Sequence, residues 1–232
     1  MIYIRKSQDR GYADHGWLKT YHTFSFAQYY DPRFMGFRSL RVINEDRVAV
    51  GKGFGLHPHN DMEIISYVVS GALEHQDSMG SHEIMKAGEV QRISAGKGVL
   101  HSEYNGSPDE EVHFLQIWIM PDEKSVRPEY AQASFQDIEP GNLVLIASKT
   151  ARDNSLAIHQ DADVYVAKLK EGGRIEHDVV PGRGIWVQLI EGTLSINGEK
   201  TLSPGDGAAI EEVDHLTLTA NKEAHFLLFD LK

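Results

Sequence analysis

Two short pairs of side chains carry the chemistry that this sequence offers. His57 and His59 flank Pro58, and His101 and Glu103 repeat the same spacing later in the chain. Because residues i and i+2 of an extended strand point to the same face, each pair should aim two side chains at one point. Three imidazoles and one carboxylate from two facing strands would form a ligand set for a divalent transition metal.

Each pair lies in its own framework of glycines. A single His-x-His is more often an ordinary surface or turn feature than a metal site. Two framed pairs reverse that balance and favour a metal centre. The two frameworks read Gly51-x5-His57-x-His59-x3-Glu63-x7-Gly71 and Gly88-x5-Ser94-x-Gly96-x4-His101-x3-Asn105.

A rival for the carboxylate ligand lies in the first framework. Glu63 shares strand parity with His57 and His59, as does Asp61. In a regular strand, however, Glu63 would lie about 13 Å beyond His59, which is too far for a shared ion. This distance, and the pairing of Glu103 with His101, favour Glu103 as the ligand. Glu63 stays open as either a rival ligand or a residue that orients an imidazole from behind.

The composition narrows the class of protein. The chain has 232 residues, 12 histidines, no cysteine and a net charge of −11. A thiolate site is thus excluded, and the acidic balance disfavours direct binding to nucleic acid. No apolar run is long enough for a membrane span, and the first residues have no apolar secretion signal. We expect a cytoplasmic protein.

The pattern of elements predicts an all-β fold. Short strands separated by glycine turns, with hardly a helical stretch, are typical of an antiparallel β sandwich or barrel. Residues 122–140 contain proline and many charges with little periodicity, so we predict a linker there. The half after the linker repeats the strand pattern of the first without its ligands. We therefore predict a metal-binding domain over residues 1–121 and a metal-free duplicate over 141–232.

The amino-acid sequence of the motifs resembles that of a known family. HPHNDMEIISYVVSG, SAGKGVLHSEYN and LQIWIMP are similar to the pirin family of the cupin superfamily, and most similar to bacterial pirin-like quercetin 2,3-dioxygenases. The resemblance covers nearly the whole chain, although Ser94 stands where cupins generally carry proline. It implies a bicupin, with two antiparallel β-sandwich or barrel (jelly-roll-like) domains. The implied metal ligands are His57, His59, His101 and Glu103.

The resemblance also implies an activity. A flavonol such as quercetin would react with O₂ at the metal, the heterocycle would open with insertion of both oxygen atoms, and carbon monoxide would be released. Glu103 is the expected base for the flavonol hydroxyl. We favour Fe²⁺ as the ion, with Cu²⁺, Ni²⁺, Mn²⁺ and Zn²⁺ as alternatives. Phe54 and Trp118 would either stack on the flat substrate or simply pack in the core.

Two other functions are compatible with the same ligands. Pirins include regulatory proteins whose metal state governs contact with a protein partner, so turnover is not required. A cupin enzyme of another class, such as an isomerase or a decarboxylating dioxygenase, would also share this site. The residues alone do not separate these alternatives from a flavonol dioxygenase.

Overall fold

The computed structural model describes residues 1–232 and is built almost entirely of strands. Two short 3₁₀ helices, Ser7–Asp9 and Arg152–Asn154, are the only helical elements, and no helix is long and apolar enough to cross a membrane. The first ten strands are β1 (Ile2–Arg5), β2 (Gly11–Asp14), β3 (Leu18–His22), β4 (Leu40–Val48), β5 (Gly53–His59), β6 (Glu63–Ser70), β7 (Ala72–Asp77), β8 (His82–Lys86), β9 (Glu89–Ser94) and β10 (Val99–Asn105). The others are β11 (Val112–Ile119), β12 (Glu129–Ser134), β13 (Leu143–Ser148), β14 (Leu156–Ala157), β15 (Ala162–Leu169), β16 (Arg174–Asp178), β17 (Gly184–Ile196), β18 (Lys200–Leu202), β19 (Gly207–Ile210) and β20 (His215–Leu231).

One compact unit comprises Gly11–Gln136 together with Ile158–Gln160. It contains a seven-stranded sheet in the order β12-β9-β6-β11-β4-β3-β2 and a four-stranded sheet in the order β5-β10-β7-β8. All strand pairs in both sheets are antiparallel. This two-sheet arrangement is the architecture that the strand pattern predicted.

A shared apolar core joins the two sheets of this unit. Side chains from the seven-stranded sheet, such as Val68 and Phe114, pack in one cluster with Leu73 and Met85 from the four-stranded sheet. These four side chains are at most 1% exposed. Burial of such side chains contributes about 1.5–3 kcal/mol each, so the cluster fixes the sheets against each other. The polar side chains described below therefore stand on a rigid frame.

The second compact unit comprises Met1–Arg10, Asp137–Ala157 and Asp161–Lys232. Its nine strands follow the order β1-β19-β17-β20-β15-β13-β14, with β16 paired to β20 and β18 paired to β17. Its core is a large cluster of apolar side chains that includes Ile185, Leu189 and Phe226. Two groups of three side chains are placed closely enough to share a metal ion, His57–His59–His101 and His75–His101–Glu103, and both lie in the first unit.

The division of the chain differs in two places from the one drawn from the sequence. Glu129–Ser134, inside the predicted linker over residues 122–140, forms strand β12 and pairs with β9. It is an edge strand with small and polar side chains, so no hydrophobic periodicity marks it. Residues 1–10 group with the C-terminal half, since β1 pairs with β19. The assignment of a metal-binding cupin domain to residues 1–121 and of a metal-free cupin domain to residues 141–232 stays a prediction.

Candidate metal centre

The two histidine-bearing segments lie side by side in the four-stranded sheet. Strands β5 and β10 are antiparallel neighbours, with His57 opposite His101 and His59 opposite Val99. The ring centroids of His57 and His101 are 4.4 Å apart, and His59 lies 4.7 Å from His57 and 4.9 Å from His101. The three imidazoles thus converge, although from adjacent strands of one sheet rather than from facing strands.

A β-bulge next to the site sets the direction of these side chains. Between the pairs His57–His101 and Phe54–Glu103, β5 advances by one residue more than β10. Such bulges re-aim side chains and are frequent beside functional sites. The strands come so close here that a Cβ on Gly53 would lie 2.3 Å from the carbonyl oxygen of Glu103. Only glycine is compatible with that approach.

The histidines have the hydrogen bonding expected of metal ligands. His57 donates from Nδ1 to the carbonyl oxygen of Gly55 at 2.7 Å, which leaves its Nε2 available. His101 is 0% exposed, and neither of its ring nitrogens has a hydrogen-bond partner. Buried polar atoms are nearly always paired, so an imidazole with two unpaired nitrogens calls for a further partner. A metal ion fits that requirement.

The same surroundings keep the imidazoles of His59 and His101 neutral. The pKa of His101 is lowered to about 3, mainly by burial and to a smaller extent by the neighbouring His57 and His75. The pKa of His59 is lowered to about 4, mainly by burial and to a smaller extent by His101 and His57. Metal ions bind neutral imidazole, so these lowered pKa values leave both side chains in the ligating form at neutral pH.

The Glu103 carboxylate adjoins the imidazoles and is held from the other sheet. Its Oε1 accepts hydrogen bonds from the Ser66 hydroxyl at 3.0 Å and from Gln91 Nε2 at 2.5 Å. Its Oε2 accepts one from Gln116 Nε2 at 2.6 Å. These donors lie on β6, β9 and β11, so three strands orient one carboxylate. Potential ligand atoms of His101, Glu103 and His75 lie within 4.8 Å of one another, as do those of the three-histidine group.

His75 is a member of the site that the sequence did not predict. Its position near a hairpin suggests an exposed side chain, and that interpretation is wrong, because His75 is 0% exposed. Its Nε2 lies 2.9 Å from Asp77 Oδ2, its ring stacks on Tyr130 at 4.5 Å, and its Nδ1 has no partner. The signal for its burial is the alternation in β7, where Leu73, His75 and Asp77 all face inward.

Glu63 has a different set of partners. It is 1% exposed, and it accepts hydrogen bonds from Ser94 Oγ at 2.7 Å and from His159 Nδ1 at 3.1 Å. Burial raises its pKa. The imidazole that Glu63 contacts is thus His159, and no hydrogen bond joins it to the three converging histidines. Ser94, the departure from the usual cupin proline, supplies the hydroxyl that binds this buried carboxylate. Asp61 accepts from the Ser125 amide at 2.7 Å.

A cavity of about 440 Å³ opens beside the imidazoles. Its size falls within the roughly 300–1,000 Å³ typical of small-molecule sites. Four aromatic side chains form much of its wall, and Trp118 meets His59 edge to face at 5.0 Å. Phe54 and Trp118 therefore line the cavity rather than only packing in the core. The lining residues are Trp17, Phe26, Asn44, Asp46, Gly53, Phe54, Gly55, His57, His59, Glu103, Gln116 and Trp118.

Several polar residues around the site were not predicted from the sequence. Ser66, Gln91 and Gln116 hold Glu103, and Asn44 and Asp46 face the cavity. Ser66 and Gln116 each interrupt a strand that is otherwise mostly apolar, as Ser66 does in Ile-Ile-Ser-Tyr-Val. Gln91, Asn44 and Asp46 instead lie in strands that contain several other polar residues. A lone polar residue inside an apolar strand is the signal that marks Ser66 and Gln116, since burying it requires a specific partner. No such signal marks the other three.

Comparisons with known proteins agree with this architecture. Residues 4–119 match the family described as Pirin, and residues 145–231 match the quercetinase C-terminal cupin domain. A quercetin 2,3-dioxygenase from Escherichia coli (strain K12) is 50% identical over 231 residues, covering 100% of this chain and 99% of the relative. A pirin-like protein from Caulobacter vibrioides is 42% identical, covering 97% of this chain and 98% of its own.

Solved structures give the same result. The crystal structure of the bacterial pirin YhhW from Escherichia coli in complex with nickel(II) superposes with a TM-score of 0.95 at 48% identity. The match covers 100% of this chain and 99% of that one. The fold is therefore the all-β bicupin that the sequence predicted, with a pirin domain followed by a cupin domain. With two matched family segments and full-length relatives at this identity, the chain belongs to the pirin family.

Proposed function

We propose that this protein is a metal-dependent dioxygenase that opens the heterocycle of flavonols such as quercetin with O₂ and releases carbon monoxide. The observation that carries the proposal is the convergence of three imidazoles, with His101 buried and both its ring nitrogens unpaired, beside an aromatic-walled cavity. Support also comes from the Escherichia coli quercetin 2,3-dioxygenase, which is 50% identical over the whole chain.

His57, His59, His101 and Glu103 would hold one divalent metal ion. The donor set of neutral nitrogen and carboxylate oxygen suits a first-row transition metal, and a relative at 48% identity has been crystallised with nickel(II). We propose Fe²⁺ as the resident ion, with Cu²⁺, Ni²⁺, Mn²⁺ and Zn²⁺ as competitors for the same donors. When bound, the ion supplies Lewis acidity to the flavonol oxygen and to O₂.

The cavity walls bind and orient the flat substrate. Phe54, Trp17, Phe26 and Trp118 offer ring faces and edges that favour offset or edge-to-face contact with aromatic rings. The same side chains give the cavity an apolar wall, and beside such a wall hydrogen bonds are stronger than in bulk solvent. A planar polyphenol is therefore a better occupant of this space than a small aliphatic acid.

Glu103 takes the proton of the flavonol 3-hydroxyl in this proposal. It is the carboxylate that lies both at the imidazoles and on the cavity wall. Three donors fix its orientation, so the acceptor oxygens do not need to reorganise when the hydroxyl arrives. Removal of the proton leaves an electron-rich flavonol that reacts with O₂.

Oxygen uptake and carbon monoxide release test the proposal directly. The protein, loaded in turn with iron, copper, nickel and manganese, is mixed with quercetin while dissolved O₂ and released CO are measured. We expect one CO per O₂ consumed with at least one metal, and no turnover by His101→Ala. If no metal form consumes O₂ or releases CO with any flavonol, the dioxygenase proposal fails, and a regulatory role through a protein partner replaces it.

A further inference from the structure

A buried carboxylate lies on the cavity wall that is formed by the seven-stranded sheet. Asp46, on β4, is 4% exposed and lines the same cavity as Glu103 and His57. The Thr20 side chain hydrogen-bonds its carboxylate, but Oδ1 has no hydrogen-bond partner. Few buried polar atoms in folded proteins lack a partner, and each such atom needs an explanation.

The contacts of Asp46 do not indicate that its carboxylate stabilises the fold. The charged groups that act on it, Glu103 and Glu45, are both carboxylates, and neither can neutralise it. Burial, followed by their charges and opposed by Thr20, raises the pKa of Asp46 to about 7. A buried acid without a cation destabilises the fold, whereas an asparagine or serine could still hydrogen-bond Thr20. The position is therefore better explained by a ligand than by folding.

We infer that Asp46 is a substrate-binding residue whose free carboxylate oxygen accepts a hydrogen bond from a phenolic hydroxyl of the flavonol, other than the hydroxyl at the metal. The inference rests on the proposed function and adds a second polar anchor to it. A flat polyphenol bound at both anchors is fixed within the plane of its rings. The protein then selects flavonols by their hydroxyl pattern, because a substrate without the second hydroxyl leaves Asp46 buried and unpaired.

The experiment compares a hydroxyl-rich flavonol with one that has only the metal-binding hydroxyl. Quercetin and 3-hydroxyflavone are titrated anaerobically into nickel-loaded protein, and binding is followed by quenching of tryptophan fluorescence, since Trp17 and Trp118 line the cavity. The ratio of kcat/KM for the two compounds is measured in parallel. A hydrogen bond to a charged group changes affinity by about 10- to 100-fold.

Two variants remove the acceptor to different degrees. We expect Asp46→Leu to weaken quercetin binding by about 10- to 100-fold and to leave 3-hydroxyflavone within about twofold. Asp46→Asn, which keeps the shape and the contact with Thr20, should show a smaller loss for quercetin and safeguards the test if the leucine variant fails to fold. Metal content should equal that of the wild type in both. Glu63→Gln is the matched control, because Glu63 is also a buried carboxylate, bonds Ser94 and His159 and does not line the cavity.

The outcomes separate this inference from the proposed function. If wild type binds or turns over quercetin and both Asp46 variants do so equally well, the inference is wrong while the dioxygenase proposal stands. An equal loss for quercetin and 3-hydroxyflavone would also overturn it, because Asp46 would then act on the site as a whole. If the wild type neither binds nor turns over any flavonol, the proposed function fails and the inference fails with it.

Discussion

Replacement of Glu103 by glutamine is the sharpest test of how the site works. The carboxylate accepts hydrogen bonds from Ser66, Gln91 and Gln116, so the new amide group must face at least one former donor. Rotation of the Gln116 amide solves this conflict: its oxygen then accepts from the new amide nitrogen. Its own nitrogen turns to the Ser66 hydroxyl, which can accept. The network therefore survives with one flip.

The expected effect on stability is small for that reason. Three charge-assisted hydrogen bonds of about 1.5–3 kcal/mol become neutral ones of about 0.5–1.5 kcal/mol. That loss is offset because a buried charge, which costs several kcal/mol to desolvate, is removed. We expect the free energy of unfolding of the metal-free protein to change by about 1 kcal/mol or less. The rate should fall much further, by about 10²–10⁴-fold, because the acceptor for the flavonol proton is lost.

The assay combines three measurements on Glu103→Gln and on Glu63→Gln as its control. Urea unfolding reports stability, elemental analysis reports bound nickel, and O₂ uptake with quercetin reports turnover. Glu63 is also a buried carboxylate, but it bonds Ser94 and His159, so its variant should keep both metal and rate. The reasoning is refuted if Glu103→Gln keeps the wild-type rate, or if Glu63→Gln loses the metal while Glu103→Gln does not.

Three further predictions follow from the same contacts. The pKa values of His59 and His101 are lowered to about 4 and about 3, so protons should displace the metal only as the pH falls well below 6.5. The nickel content after dialysis at a series of pH values from 7 to 4 checks this, and a loss of half the nickel near pH 6.5 would contradict it. A saturated sample should contain one tightly held metal per chain and His101→Ala close to none, by elemental analysis, since both ligand clusters include His101; two equivalents in the wild type would refute this. The pKa of Asp46 is about 7 in the folded state and about 3.9 in an unfolded chain, so the wild type loses stability as pH rises between these values. The stabilisation that Asp46→Asn gives over wild type in urea unfolding should therefore grow from pH 5 to pH 8, and a shrinking difference would count against a buried, uncompensated charge.

The interior partners of the carboxylates explain which of two similar residues belongs to the site. From spacing alone, Glu63 and Glu103 both share parity with a histidine pair, and distance along a strand favours Glu103. In the fold, Glu103 faces three donors and the cavity, whereas Glu63 faces Ser94 and His159. His159 is distant in sequence and joins this unit through residues 158–160. No local pattern could have predicted that contact.

The sequence by itself determined the elements that depend on local spacing. The i, i+2 pairs at His57 and at His101 predicted imidazoles on one face, because strand periodicity is a property of the backbone. Glycine turns between short apolar strands predicted the all-β architecture for the same reason. The glycine frameworks and the wording around them predicted the pirin family, whose two matched segments cover most of the chain.

Tertiary structure alone decided which inward-facing polar residues come together at the site. His75, which lies near a hairpin, is buried behind His101, while Asp46, Ser66 and Gln116 reach the site from strands of the other sheet. Residues Glu129–Ser134 form an edge strand where a linker was predicted. The strand is stabilised by backbone hydrogen bonds to its partner β9, and its own sequence has no strand periodicity that would predict this pairing. The physical reason is common to these cases. Strand periodicity tells which face a side chain takes, but the register and stacking of the sheets decide what that face meets.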